Sequence, residues 1–119
     1  MIRSFAVAAI MATIAAPAFA DPIEDAIAGS WRKPADKARD QYRHPAQTLK
    51  FLGVKPGQTV VEVSQGGGWY TEILAPAMKG NGKYVAGLAN PLASVNAAKS
   101  VESFKTKYAD KAIYGDIGI

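Results

Sequence analysis

The stretch VVEVSQGGGWYTEIL, Val60 to Leu74, sets three consecutive glycines between a β-branched run and an aromatic-led segment. With Thr59, its first part reads TVVEV, nearly continuous in β-branched residues, which suits a strand buried on both faces in a parallel sheet. Its last part runs on to Lys79 and carries Trp69, Ile73 and Ala77 four residues apart, with Tyr70 and Leu74 beside them. That spacing predicts a helix with a broad apolar face. Pro76 is expected to kink or restart it, because proline removes a hydrogen bond and collides with the preceding turn. Glycines at such a junction permit positive φ and close backbone approach, and ligands of open α/β sheets bind at the carboxyl ends of the strands. A tight strand-to-helix turn with no ligand explains a glycine triplet equally well.

Outward from this block, the chain alternates. Upstream, HPAQTLKFLG reads as a short helix with His44 at the cap, Pro45 at its first position and Gly53 at its end. VKPGQ follows as a turn into the strand. Downstream, Gly80 to Gly82 stop the helix and KYVAGL reads as a second strand. Pro91 is expected to open another helix, with Leu92, Val95, Ala98, Val101, Phe104 and Tyr108 as its apolar stripe. AIYGDIGI then reads as a third strand or its start. The order predicts an α/β protein with a three-stranded parallel sheet and flanking helices, joined by right-handed crossovers.

The N-terminal residues MIRSFAVAAIMATIAAPAFA hold one charge, Arg3, an apolar run broken by Pro17, and an Ala18-Phe19-Ala20 cleavage pattern. This is the form of a secretory signal peptide over residues 1–20, and the run is shorter than the roughly 20 residues a membrane span needs. The expected location is the periplasm or the exterior, with no stable membrane anchor after cleavage. The absence of cysteine excludes disulfides, thiolate metal sites and a cysteine-linked lipid. A single histidine, His44, and no clustered carboxylates leave no basis for expecting a metal. Fourteen basic and 10 acidic residues give a net charge of +4. The bases are scattered along the chain, so nucleic acid is not an expected partner.

Ligand classes for the glycine block separate on neighbouring residues. A triphosphate-binding loop needs Gly-Lys-Ser/Thr, whereas Trp69 and Tyr70 follow Gly68. A dinucleotide fingerprint is broken at Thr71 and at Leu88, where an acid should end the second strand. The remaining class is S-adenosylmethionine. VVEVSQGGGWYTEIL resembles motif I of class I S-adenosylmethionine-dependent methyltransferases. The longer run RDQYRHPAQTLKFLGVKPGQTVVEVSQGGGWYTEILAPAMKGNGKYVA is similar to a group of exported bacterial predicted methyltransferases, with RDxYRHP, KPGxTVVE and GGGWYTEILAP as its specific motifs.

The resemblance implies a Rossmann-like methyltransferase fold and S-adenosylmethionine as the small-molecule cofactor. It makes Glu62 the motif acid that organises the loop and the cofactor's amino group. Gly66 and Gly68, with Gly67 between them, let the backbone approach the methionine part, and Ser64 stands where the first glycine belongs. Leu88 takes the place of the ribose-binding acid, Asn90 is a nearby substitute, and Asp116 matches the adenine-binding acid. Asp116 reads equally well as a solvated turn residue.

Outside the loop, His44 reads as a helix-start residue and not a base. Trp69 and Tyr70 read as packing, and Arg39, Asp40 and Arg43 as surface ion pairs or a lid. Residues 21–43 are expected to form an N-terminal helical arm and residues 44–119 a partial Rossmann-like cofactor-binding domain, cut short before the fourth strand of the family sheet. The expected function is methyl transfer to an unknown acceptor. The alternative is a non-catalytic periplasmic module that keeps the fold and docks a partner, or itself, through an uncovered sheet edge.

Overall fold

The computed structural model describes residues 20–119. The expected leader lies outside the described residues except for Ala20. Asp21 caps helix α1 (Pro22–Ala28) by accepting the Ile23 N–H at 2.9 Å, and Pro22 occupies its first turn. Two single turns follow, α2 (Pro34–Lys37) and α3 (Asp40–Arg43), then α4 (Pro45–Phe51). His44 joins α3 to α4 with φ at 45°; its side chain makes no cap bond, so its part in the helix start is played by the backbone.

The rest of the chain is β1 (Thr59–Val63), α5 (Thr71–Met78), β2 (Lys83–Gly87), α6 (Val95–Lys107), α7 (Lys111–Tyr114) and β3 (Ile117–Gly118). The strands form a parallel sheet in the order β1-β2-β3, with Val61 opposite Val85 and Tyr84 opposite Ile117. The chain is therefore an α/β protein with a three-stranded parallel sheet and flanking helices.

Because the chain steps across the sheet in one direction, right-handed crossovers put the connecting helices on one face. The core lies there. Val60, Tyr84 and Ala86 from the strands meet Ile73, Ala77 and Met78 of α5, Leu49 of α4, Ile23 of α1 and Tyr108 of α6. On the other face Val61 and Val63 are 59% and 72% exposed. This corrects the expectation that β1 is buried on both faces. β-Branched residues set strand propensity, whereas the number of covered faces depends on where the crossovers go.

Three further expectations change in detail. Ala112, Ile113 and Tyr114, read as part of a third strand, belong to helix α7, which Asp110 caps by accepting the Ala112 N–H, and β3 keeps only Ile117 and Gly118. Helix α5 runs unbroken through Pro76. The missing proline N–H leaves the Glu72 carbonyl without its helical donor, and the Trp31 indole Nε1–H fills that place at 2.8 Å. Helix α6 begins at Val95 and not at Pro91, because Asn90 turns the chain: its side chain accepts the Leu92 N–H and its carbonyl the Ala93 N–H. Ser94 then caps the helix by accepting the Ala97 N–H. Leu92 and Val95 consequently stay exposed, and the buried stripe starts at Val101.

The N-terminal arm is tied to the domain by aromatic and charged groups together. Arg32, 2% exposed, donates to both carboxylate oxygens of Asp40 at 2.7 and 2.8 Å and to the Ile27 carbonyl. Asp40 thus serves a buried pair and not the surface pair its sequence position suggests. The Trp69 indole donates to the Asp36 carbonyl, and the Arg43 guanidinium lies 4.8 Å from the Trp69 ring centroid. Among the described residues no helix is long and apolar enough to cross a membrane.

Candidate functional site

The site begins where β1 ends. Ser64, Gly66 and Gly68 take φ of 59°, 55° and 85°, so the loop alternates left-handed residues with ordinary ones. Ser64 does what a glycine would do more cheaply, since a non-glycine residue in this region costs about 1 to 3 kcal/mol. The Gly68 N–H closes onto the Gln65 carbonyl, and Gln65 Nε2 donates back to the Glu62 carbonyl. A Cβ at Gly66 or Gly67 would meet nothing within 4 Å, whereas one at Gly68 would lie 1.7 Å from the Tyr108 hydroxyl. The loop is therefore open on one side and in van der Waals contact on the other.

Glu62 sits beneath the loop on the helix-covered face. Its Oε2 accepts from Tyr84 Oη at 2.6 Å and Thr71 Oγ at 2.9 Å, which ties β1, β2 and the start of α5 to one oxygen. Burial, reinforced by the bond to the Glu62 carboxylate, raises the Tyr84 phenol far above its ordinary pKa, so the phenol stays a donor at any physiological pH. Glu62 is a fixed support for the loop.

On the open side lies a cleft of about 640 Å³. Ser64, Gln65, Gly66 and Gly67 form its floor, Leu88 and Ala89 continue it from the end of β2, and α6 supplies the far wall with Phe104, Lys107 and Tyr108. Such a volume suits a nucleoside-sized ligand. Leu88, Val101 and Phe104 give it apolar surface; Ser100, Ser103, Asn96 and Lys99 give it hydrogen-bond donors. No carboxylate is among the residues that line it.

The sequence-derived site residues divide accordingly. Ser64, Gly66, Gly67 and Leu88 line the cleft, and Glu62 and Gly68 hold the loop from behind. Asn90 lies outside, its side chain committed to the Leu92 N–H. Asp116 is 85% exposed at its side chain, paired with Lys111 at 2.5 Å beside a separate hollow formed with Lys79 and Tyr114. Neither Asn90 nor Asp116 reaches the cleft.

Sequence reasoning missed Glu72, Lys107 and Tyr108. Glu72 is 2% exposed on α5, and its Oε1 lies 3.2 Å from Lys107 Nζ, which also donates to the Gly67 carbonyl at 2.8 Å. Partial burial opposes the charge on Lys107, but the neighbouring Tyr108 hydroxyl and Glu72 carboxylate outweigh it, and the ammonium pKa stands above that of an ordinary lysine. The available signal was weak: an acid directly before the apolar Ile73-Leu74 pair, and a lysine at the end of the Val101-Phe104-Tyr108 stripe. No family model matches the chain, nor does any curated protein or solved structure.

Proposed function

We propose that the cleft is the cofactor site of a class I S-adenosylmethionine-dependent methyltransferase-like domain with a Rossmann-like sheet, acting outside the cytoplasm on an acceptor of unknown identity. The observation that carries this reading is the left-handed conformation at Ser64, Gly66 and Gly68, the three positions that match the motif glycines, in a loop whose Ser64 and Gly66 line a cleft of about 640 Å³. The cofactor, when bound, supplies a methyl group on a sulfonium. The chain's own contribution is to hold and orient it. Gly66 and Gly67 admit close approach, Glu62 with Thr71 and Tyr84 keeps the loop in place, and Leu88 with Phe104 offers an apolar surface that excludes water. Leu88 cannot accept from ribose hydroxyls, so affinity is expected to be lower by about 1 to 3 kcal/mol than with an acid there.

Calorimetric titration of the folded protein with S-adenosylhomocysteine tests the reading. Saturable heat that is lost in Gly66→Val supports it; no heat at millimolar ligand ends it for this chain. A second reading, a non-catalytic module that docks a partner strand, is favoured by one observation: the exposed Val61 and Val63 on β1, whose second edge is paired by no described strand.

A further inference from the structure

Among the described residues, the buried charge at the glycine loop is the feature that the proposed function leaves unused. Glu72 is almost wholly buried, and its two oxygens differ: Oε1 faces Lys107 Nζ at 3.2 Å, whereas Oε2 has no hydrogen-bond partner. The Tyr108 hydroxyl is also buried, with the Lys107 ammonium as its neighbour. Lys107 Nζ donates to the Gly67 carbonyl at 2.8 Å and stands 4.9 Å from the Tyr108 ring centroid. A carboxylate, a loop carbonyl and an aromatic face around one nitrogen are the elements of an ammonium receptor.

The two partners are unequally committed. The Glu72 side chain is 3% exposed and belongs to the helix that forms the core, while the Lys107 side chain is 38% exposed and reaches in from the last turn of α6. Lys107, Gly67 and Tyr108 all line the cleft, so the ammonium lies between the cleft and the buried acid. A lysine stem can swing to water at small cost, but a buried carboxylate left alone is strongly unfavourable.

We propose that Glu72, the Gly67 carbonyl and the Tyr108 ring form a binding site for a primary ammonium group, occupied in this structure by Lys107 as a tethered ligand, and that a cleft ligand carrying such a group displaces it. The Lys107 ammonium, held by its stem on α6, meets Oε1 and the Gly67 carbonyl and leaves Oε2 unmet, whereas a ligand's ammonium with the same three donors is free of that tether and can approach both Glu72 oxygens. This site does not depend on which cofactor the rest of the cleft takes.

The test is chemical rescue on the full chain. Lys107→Ala is expected to melt below the unsubstituted protein. Ethylamine hydrochloride should raise its midpoint by several degrees and saturate, because a ligand that binds only the folded state stabilises by mass action. Tetramethylammonium chloride at equal ionic strength, which has no N–H to donate, should not. The unsubstituted protein, with its site filled, should not respond, and the Glu72→Gln/Lys107→Ala double variant should lose the response. Lys107→Met keeps the stem and carries the same test if the alanine variant does not fold. An equal response with and without Lys107, a response that survives Glu72→Gln, or no saturable response overturns the proposal. Normal S-adenosylhomocysteine binding without amine rescue would overturn this proposal alone.

Discussion

A methyl group on Gly68 would lie 1.7 Å from the Tyr108 hydroxyl at a φ of 85°, whereas one on Gly67 would enter open space with no positive φ to maintain. Gly68→Ala is therefore expected to cost about 2 to 5 kcal/mol, from the left-handed backbone and the collision together. Gly67→Ala should change stability by less than about 0.5 kcal/mol yet weaken any ligand of the cleft. Urea unfolding of both variants, with the S-adenosylhomocysteine titration repeated on Gly67→Ala, checks the pair. Ser64→Gly should stabilise by about 0.5 to 1 kcal/mol, since glycine relieves the strain at φ 59° and loses part of the gain to unfolded-chain entropy. For Tyr84 the sign follows from its raised pKa: the folded protein holds the phenolic proton more tightly than the unfolded chain does. Its contribution is intact below about pH 10 and declines above it by up to about 1.4 kcal/mol per pH unit. Unfolding free energies followed into the alkaline range should show Tyr84→Phe with a shallower decline, the remainder coming from Tyr108 and Tyr114, whose phenols burial also raises.

Helix α5 holds its proline because another element supplies the missing donor. Trp31→Phe should remove the indole bond to the Glu72 carbonyl and cost about 1 to 3 kcal/mol. Pro76→Ala restores a backbone N–H for the same carbonyl, so Trp31→Phe should cost less in that background, and a double-mutant cycle measured by urea unfolding gives the coupling directly. No rule applied to TEILAPAM alone could show this, because the donor lies 41 residues away. The same limit explains what was and was not legible elsewhere. The alternation of helices and strands through α6, the parallel sheet and the glycine loop were readable, since each follows from local periodicity and turn chemistry; α7 was not, because Ala112, Ile113 and Tyr114 are as apolar as a strand and the Asp110 cap starts them as a helix. The start of α6 was not, because Asn90 uses its side chain to prolong a turn that Pro91 alone does not specify. Lys107 and Glu72 were invisible as a pair, because they are brought together by the packing of α6 over the loop.

Helices on one face leave the molecule two-sided: a packed core beneath the sheet and Val61 and Val63 exposed above it. An apolar strand at a sheet edge invites pairing with another chain. Val63→Lys should therefore reduce concentration-dependent association in sedimentation velocity while leaving the urea midpoint nearly unchanged, because the residue is already 72% exposed. An unchanged sedimentation profile would show that this face does not mediate association. The seam between the arm and α5 has a different use. The chain's 2 tryptophans both donate across it, Trp31 to the Glu72 carbonyl and Trp69 to the Asp36 carbonyl. Tyr84, Tyr108 and Tyr114 instead lie in the core shared by the sheet and the later helices. Light absorbed above the tyrosine band is thus emitted only from the seam, so a shift in its colour reports the arm lifting away, even while the sheet behind it stays folded.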